Sequence, residues 1–326
     1  MKQDILISAV IPTRNRPNLV LRAVNSALGQ TYPRVEVVVV VDGPDHATVQ
    51  ALQDLQDSRV RVIALPENVG GSEARNTGVR EARGEWIALL DDDDEWLPQK
   101  LERQMAAAEV LTEQNVILSS RYMERSAQHS RIHPGRFPGP KETIDEYLCC
   151  PLGFRTVGEQ IQTSTLVVPK ALMIAVPFVV GLKRGQDFMW LIRAGSVGKA
   201  TLHVVPEVLS IFNAEGFSDN RRVSRKPNWQ SFYACVLSNR KSFTAKSYGY
   251  CIATRVLTDV ITCGEPFPVK LRLLLECFSS GSGSIKLLCL FLYVWFIPQD
   301  MRSRVGENLR TMRSRAELAR SQVGAA

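Results

Sequence analysis

Residues Val35–Val41 read Val-Glu-Val-Val-Val-Val-Val, an almost wholly β-branched run. A strand that is apolar on consecutive residues presents apolar side chains to both faces, so both faces of its sheet must be covered. That requirement excludes an open antiparallel sheet with one wet face. The neighbouring segments agree. Ile5–Ile11 is a second apolar run, ending at Pro12, and Val60–Ala64 and Trp86–Leu90 are a third and fourth. Between them lie stretches with apolar residues three and four apart: Val20, Ala23, Val24, Ala27 and Leu28, then Val49, Leu52 and Leu55. Asn18, Asp45 and Ser72 are the expected helix caps, and a further helix follows Pro98 through Leu101, Met105 and Ala108. Strands alternating with helices of this length predict an α/β fold with a parallel sheet, whose ligands sit outside the carboxyl ends of the strands. Three places qualify: Pro12–Asn15, Asp42–Asp45 and Asp91–Asp94.

Further on the alternation loosens. Arg131–Pro140, with three prolines and two glycines, reads as a loop, Ile161–Val168 as a strand ended by Pro169, and Asp187 as the opening of a short helix. From about Lys226 the pattern is helical. Leu287–Ile297 is an apolar run of eleven residues, followed by a tail from Met301 with six arginines against two glutamates. The run is short of the about 20 residues that span a bilayer. A buried core helix and an interfacial helix, with Tyr293 and Trp295 at headgroup depth and the arginines on anionic lipid, are the readings left open. The formal charge of +7 favours anionic partners. The basic residues are not interleaved with aromatics, which argues against nucleic acid. Seven cysteines, an odd number without metal-ligand spacing, argue against a disulfide framework and for a reducing cytoplasm. The segment before Pro12 is too short for a secretory leader. None of the four histidines (46, 129, 133 and 203) has ligand spacing.

Asp91–Asp94 follows directly on a strand. Four adjacent carboxylates there call for a cation, and hard divalent ions such as Mg²⁺ or Mn²⁺ take one or two carboxylates together with substrate phosphates. The alternative is a solvated acidic turn with Asp94 capping the next helix.

Several short motifs in register carry a resemblance. They are Ile11-Pro12-Thr13-Arg14-Asn15-Arg16-Pro17, Gln30-Thr31-Tyr32-Pro33, and Glu36–Val41 with Asp42-Gly43. Ala74-Arg75-Asn76-Thr77-Gly78, Ala82-Arg83-Gly84-Glu85 and Leu89–Pro98 follow. Across residues 7–105 their order and spacing resemble family 2 glycosyltransferases. Looser matches follow at Gln162-Thr163-Ser164-Thr165 and at Gly185-Gln186-Asp187 with Trp190 and Arg193, and the likeness fades beyond about residue 220. The resemblance implies a GT-A fold, a Rossmann-like mostly parallel sheet flanked by helices, with a helical C-terminal extension. Residues 1–220 would form the transferase domain, with 1–115 the nucleotide-sugar-binding half and 116–220 the acceptor half, and residues 221–326 would be helical and basic.

It also implies an inverting transfer from a UDP- or dTDP-sugar to a glycan or lipid-linked acceptor, in surface polysaccharide biosynthesis. Pro12, Thr13, Asn15, Asp42, Arg75, Asp91 and Asp92 would bind the nucleotide sugar, Asp42 through the base N–H. Asp93, with Asp91, would hold Mn²⁺ or Mg²⁺. Asp187 matches the catalytic base. Gln186 stands where relatives have glutamate, which removes a charge beside that base. Asn213 stands where many relatives carry a lid-loop histidine, and Val41-Asp42-Gly43-Pro44 keeps one of the usual two aspartates. The enzyme would work in the cytoplasm, with peripheral membrane contact through residues 285–326. A sugar-1-phosphate nucleotidyltransferase is the first alternative, but Pro12–Asn15 is not a glycine-rich phosphate cradle. A nucleotide-sugar-binding protein without turnover is the second.

Overall fold

All seven residues of Val35–Val41 are buried, as their side chains require, and they form β2 beside β1 (Ile7–Thr13). The two run parallel in a register that pairs Ile7 with Val35 and Thr13 with Val41. The structure is a computed structural model that describes residues 5–113, 115–126, 130–151, 158–214, 228–279, 283–298 and 301–302. The chain divides into two units, one of residues 1–148 and 159–244 and the other of 149–158 and 245–326.

In the first unit β1 leads to α1 (Pro17–Leu28), β2 to α2 (His46–Gln53), β3 (Val60–Ala64) to α3 (Gly71–Glu81), and β4 (Trp86–Leu89) through β5 (Glu95–Trp96) to α4 (Lys100–Val110). There follow β6 (Val116–Arg125), β7 (Ser130–His133), α5 (Ile144–Cys149), β8 (Val167–Pro169), α6 (Lys170–Ala175), α7 (Gln186–Ser196), β9 (Thr201–Asn213) and α8 (Trp229–Ser238). The strand order is β3-β2-β1-β4-β8-β6-β9-β5, with β7 on β6. The sheet is parallel through β1–β4, as the sequence implies. It is mixed beyond, where β8 runs antiparallel to β4 and to β6 while β6 and β9 are parallel.

Two sequence motifs acquire structural reasons. A Cβ on Gly78 would lie 2.4 Å from Val10 Cγ1, so only glycine lets α3 approach the sheet this closely. At the other end of the strands, Glu36 Oε1 accepts from Ser8 Oγ at 2.6 Å and from Arg83 N at 2.5 Å, while Gly84 N donates to Ser8 Oγ at 2.8 Å. That knot explains why β2 is interrupted by one buried carboxylate and why Ala82–Glu85 follows α3.

Several sequence expectations are corrected. Asn18 does not cap α1: Arg16 holds that place and Pro17 opens the helix, its fixed φ and missing N–H suiting the first position. Ser72 lies inside α3, whose cap is Gly70. Ile161–Val168 is strand only from Val167, because Thr163–Thr165 form a 3₁₀ turn, and Pro169 ends β8 by pairing with Trp86. The first residues of the expected loop at Arg131–Pro140 belong to β7, drawn into the sheet by β6. Asp45 caps α2 as expected, accepting from Thr48 N.

Lys100, in the first turn of α4, is fully buried with its Nζ 4.4 Å from the centre of the Trp96 ring. Its Nζ has no hydrogen-bond partner among the described residues, and burial holds its pKa well below the ordinary lysine value. Between that depressed value and about 10.4 the unfolded chain binds a proton that the folded chain does not, so stability rises with pH across this window. We expect Lys100→Met to stabilise the protein by about 1–3 kcal/mol at neutral pH, since it removes an unsatisfied buried donor. Urea melts at stepped pH would also show the slope flattened in the variant. An unchanged slope would mean that Lys100 is not the group responsible.

The second unit comprises α9 (Ala245–Cys251), a π-helical turn at Ile252–Val256, α10 (Leu257–Thr262), α11 (Phe267–Cys277) and α12 (Ile285–Phe296). Its core gathers Ile252, Val256, Val260, Leu273, Leu287 and Phe291. The seven cysteines of the chain are not joined in disulfides.

Candidate functional site

The chain runs from β1 outward to β2 and β3, then returns to place β4 on the other side of β1. At such a reversal the carboxyl ends of adjacent strands open a crevice. Pro12–Arg16 leave β1 there and Asp91–Asp94 leave β4, so two motifs remote in sequence meet. Thr13 Oγ1 donates to Asp92 Oδ2 at 2.8 Å. Arg16 Nη1 donates to Asp92 Oδ1 at 2.9 Å and lies 3.4 Å from Asp93 Oδ2. Arg22 Nη2 donates to the Asp93 carbonyl at 2.7 Å.

The four aspartates occupy different environments. Asp91 and Asp94 close a turn through Asp94 N to Asp91 O at 3.1 Å. Asp94 is fully buried and accepts from Ser164 Oγ at 2.7 Å and from the Gln162 amide. Burial pushes its carboxyl well above the usual range. Burial likewise pushes Asp92 up to about 6, against the opposing pull of Arg16. The side chains of Asp91 and Asp93 stay 25% and 15% exposed, so these two are the accessible donors. Arg16, Arg22 and Arg75 and the polar cradle of Ser164 and Gln162 supply part of the counter-charge that this run calls for. The alternative that Asp94 caps the following helix is corrected, since Gln99 stands at the cap of α4 and Asp94 is engaged by Ser164 and Gln162.

Arg75 joins three elements. From α3 its Nη2 donates to Asp91 Oδ1 at 2.5 Å and its Nη1 to Gln186 Oε1 on α7 at 2.6 Å, with the guanidinium 5.7 Å from the Phe178 ring centre. Burial alone would lower its pKa, but Asp91 outweighs that and raises it, with Asp187 adding to the field. Asp187 lies in the first turn of α7, which enters through Gly185 in the left-handed region at φ +68°. Its Oδ1 accepts from Phe188 N at 2.8 Å. Its charge is also felt by the buried phenol of Tyr122, chiefly desolvated and pushed upward. Trp190 and Arg193 serve packing instead, donating to the carbonyls of Val176 and Pro177.

Asp42, at the end of β2, accepts from Val69 N at 2.7 Å and Gly70 N at 3.0 Å, which fixes the entry to α3. Each carboxylate oxygen has a second lone pair for another donor. Asn15 is exposed with φ +53°, and its N donates to Asp45 Oδ2 at 2.6 Å. Pro12 is half-buried on β1. Arg16, Gln162 and Ser164 were missed as site residues by the sequence reading. The signal was available, since four adjacent carboxylates demand counter-charge and Arg16 follows the neighbouring strand. Asn213 ends β9, and its Nδ2 donates to the Asp93 carbonyl at 3.0 Å, bracing the acidic turn. The rest of the expected lid, residues 215 to 218, lies outside the described residues, as does His129. His133 is engaged by Glu124 and stacked on Tyr122.

Among the described residues no group of three or more His, Cys, Asp or Glu side chains is arranged to hold a metal. A cavity of about 570 Å³ lies elsewhere, lined by Pro138–Pro140, Ala200–Leu202 and Lys241–Thr244 among others, with no residue of the acidic turn.

Residues 8–161 match Glycosyl transferase family 2. The chain is 26% identical over 259 residues to the amylovoran biosynthesis glycosyltransferase AmsB of Erwinia amylovora, covering 76% of this chain and 83% of that one. Among solved structures, S. aureus TarS residues 1–349 in complex with UDP-GlcNAc superposes with a TM-score of 0.53 at 16% identity, covering 89% of this chain and 79% of that one. The mannosyltransferase PcManGT of Pyrobaculum calidifontis, in complex with GDP-Man and Mn²⁺, gives 0.53 at 15% identity, covering 92% and 82%.

Proposed function

We propose that this chain, whose residues 8–161 match Glycosyl transferase family 2 and whose fold is of the GT-A kind, transfers a sugar from a UDP- or dTDP-sugar to a hydroxyl of a glycan or lipid-linked acceptor, with inversion. The observation that carries this reading is the Arg75 bridge, which ties Asp91 at the strand end to Gln186 beside Asp187. It supports a donor-side acid group and an acceptor-side base facing one crevice. Residues 1–115 serve as the donor half and 116–220 as the acceptor half, with 221–326 as an appended region whose described part is largely helical. Assembly of a surface polysaccharide is the role we assign, by likeness to AmsB.

Pro12, Thr13, Asn15 and Asp42 line the nucleoside side. Arg75, Asp91 and Asp92 face the diphosphate and the donor sugar, with Asp92 held in place by Thr13 and Arg16. Asp93, with Asp91, would hold Mn²⁺ or Mg²⁺, which would supply positive charge to the leaving diphosphate. Asp187 takes the proton from the attacking hydroxyl as the new C–O bond forms at the anomeric carbon. The bond to the diphosphate breaks on the opposite face, and the diphosphate departs with its electron pair. Arg75, already fixed by two partners, offers a preorganised cation to that developing charge. We place the reaction in the cytoplasm with peripheral attachment to a membrane through residues 285–326.

A thermal-shift screen of nucleotide sugars with and without Mn²⁺ tests the reading. A true donor at a hundredfold excess over its Kd should stabilise the fold by about 2.7 kcal/mol. No shift with any uridine or thymidine diphosphate sugar, in either condition, would remove the donor assignment.

A further inference from the structure

No helix among the described residues is long and apolar enough to cross a membrane, yet two helices of the second unit carry unburied apolar stripes. On α12, Leu287, Phe291 and Val294 are buried, which accounts for one face as core. The opposite face presents Ile285, Leu292 and Phe296, spaced at seven and four residues, with Ile285 82% and Phe296 67% exposed. On α11, Phe267, Leu271 and Leu275 repeat every four residues and are likewise exposed, Leu275 at 63%. Spacings of four and seven put each set on one helix face. The two faces meet. The Phe267 ring lies 5.3 Å from Trp295, and Trp295 stacks on Phe296 at 5.3 Å. A joined apolar surface of this extent, on two helices, exceeds the scattered exposed residues ordinary in a soluble protein.

Charge indicates what covers it. The two helices carry Lys270, Arg272 and Lys286 against Glu276 alone, and the chain after them adds six arginines against Asp300, Glu307 and Glu317. Glu276 is turned to the Tyr248 hydroxyl within the unit. An apolar face with interfacial tryptophan, flanked by cations, is complementary to an anionic bilayer surface. We infer that α11 and α12 together form a monotopic docking face for an anionic membrane, with Phe267, Leu271, Leu275, Leu292 and Phe296 entering the headgroup boundary. This deepens the attachment proposed above and rests on it only for where the acceptor resides.

Flotation with vesicles of phosphatidylcholine, alone and mixed with phosphatidylglycerol, decides the matter. The full chain should float with the mixed vesicles and be released as NaCl rises, because the electrostatic part is screened. A variant with Leu271→Gln, Leu275→Gln, Leu292→Gln and Phe296→Gln alters only exposed positions, and circular dichroism would check its fold. It should partition about tenfold less or weaker still. A milder variant, Lys270→Glu with Arg272→Glu, should lose the preference for phosphatidylglycerol. Wild-type protein that floats with neither vesicle, or equal flotation of the glutamine variant, would overturn the inference. So would light scattering that shows a dimer split by the glutamine variant, which would assign the face to a second copy. UDP binding measured on the same samples keeps the two readings apart: lost nucleotide binding with intact flotation counts against the transferase site alone.

Discussion

Asp187→Asn is expected to lower sugar transfer by about 10²–10⁴-fold while leaving donor binding intact. The side chain lies in the first turn of α7, where the positive end of the helix dipole favours an anion and where an amide can still accept from Phe188 N. The variant therefore keeps shape and that hydrogen bond and loses only the capacity to take a proton. Stopped assays with a matched donor and acceptor, alongside calorimetric titration with UDP, separate the two effects. Transfer near the wild-type rate would end the assignment of Asp187 as base. Product of retained anomeric configuration would end the inverting mechanism whichever residue acts. A wild-type protein that binds donor and never transfers would favour the binding-protein alternative.

The second large effect is expected at Asp93. Its side chain, partly exposed beside Arg16, is the accessible member of the turn together with Asp91. If it holds the cation that bridges the diphosphate, Asp93→Ala should weaken Mn²⁺-dependent UDP binding by about 10²–10³-fold, the several kcal/mol a metal contact contributes. Affinity measured in chelator should change far less, since Arg75 and the nucleoside side remain. Equal Mn²⁺ dependence in variant and wild type would take Asp93 out of the site. The two experiments are independent, because one reads turnover and the other reads binding.

The first four strands were legible because their apolar runs leave no other way to be covered, and their helices because the apolar spacing is helical. Caps were read less well. Asn18 and Ser72 are both the right residue type beside the right boundary, but a proline start at Pro17 and a glycine entry at Gly70 displace them. The antiparallel strands were harder to read because β8 is three residues long and takes its place from its partners rather than from any internal pattern. The site residues were found from motifs in register, which mark positions but not partners. That Asp42 is engaged by backbone N–H groups, and that Asp94 is buried on a serine and a glutamine, are facts of tertiary contact with no trace in local sequence.

The guanidinium partners of the acidic turn have a thermodynamic consequence. Arg75 is paired with Asp91, and Arg16 with Asp92 and at longer range with Asp93, so a divalent ion entering between Asp91 and Asp93 would share its ligands with two cations. Bare Mn²⁺ should then bind weakly on its own. A nucleotide diphosphate would alter this balance, because its oxygens would offer ligands to the ion and acceptors to Arg16 and Arg75. Metal and nucleotide would thus each strengthen the other's binding by one shared factor, as linkage demands. The site would be loaded by the pair together rather than by either component in turn.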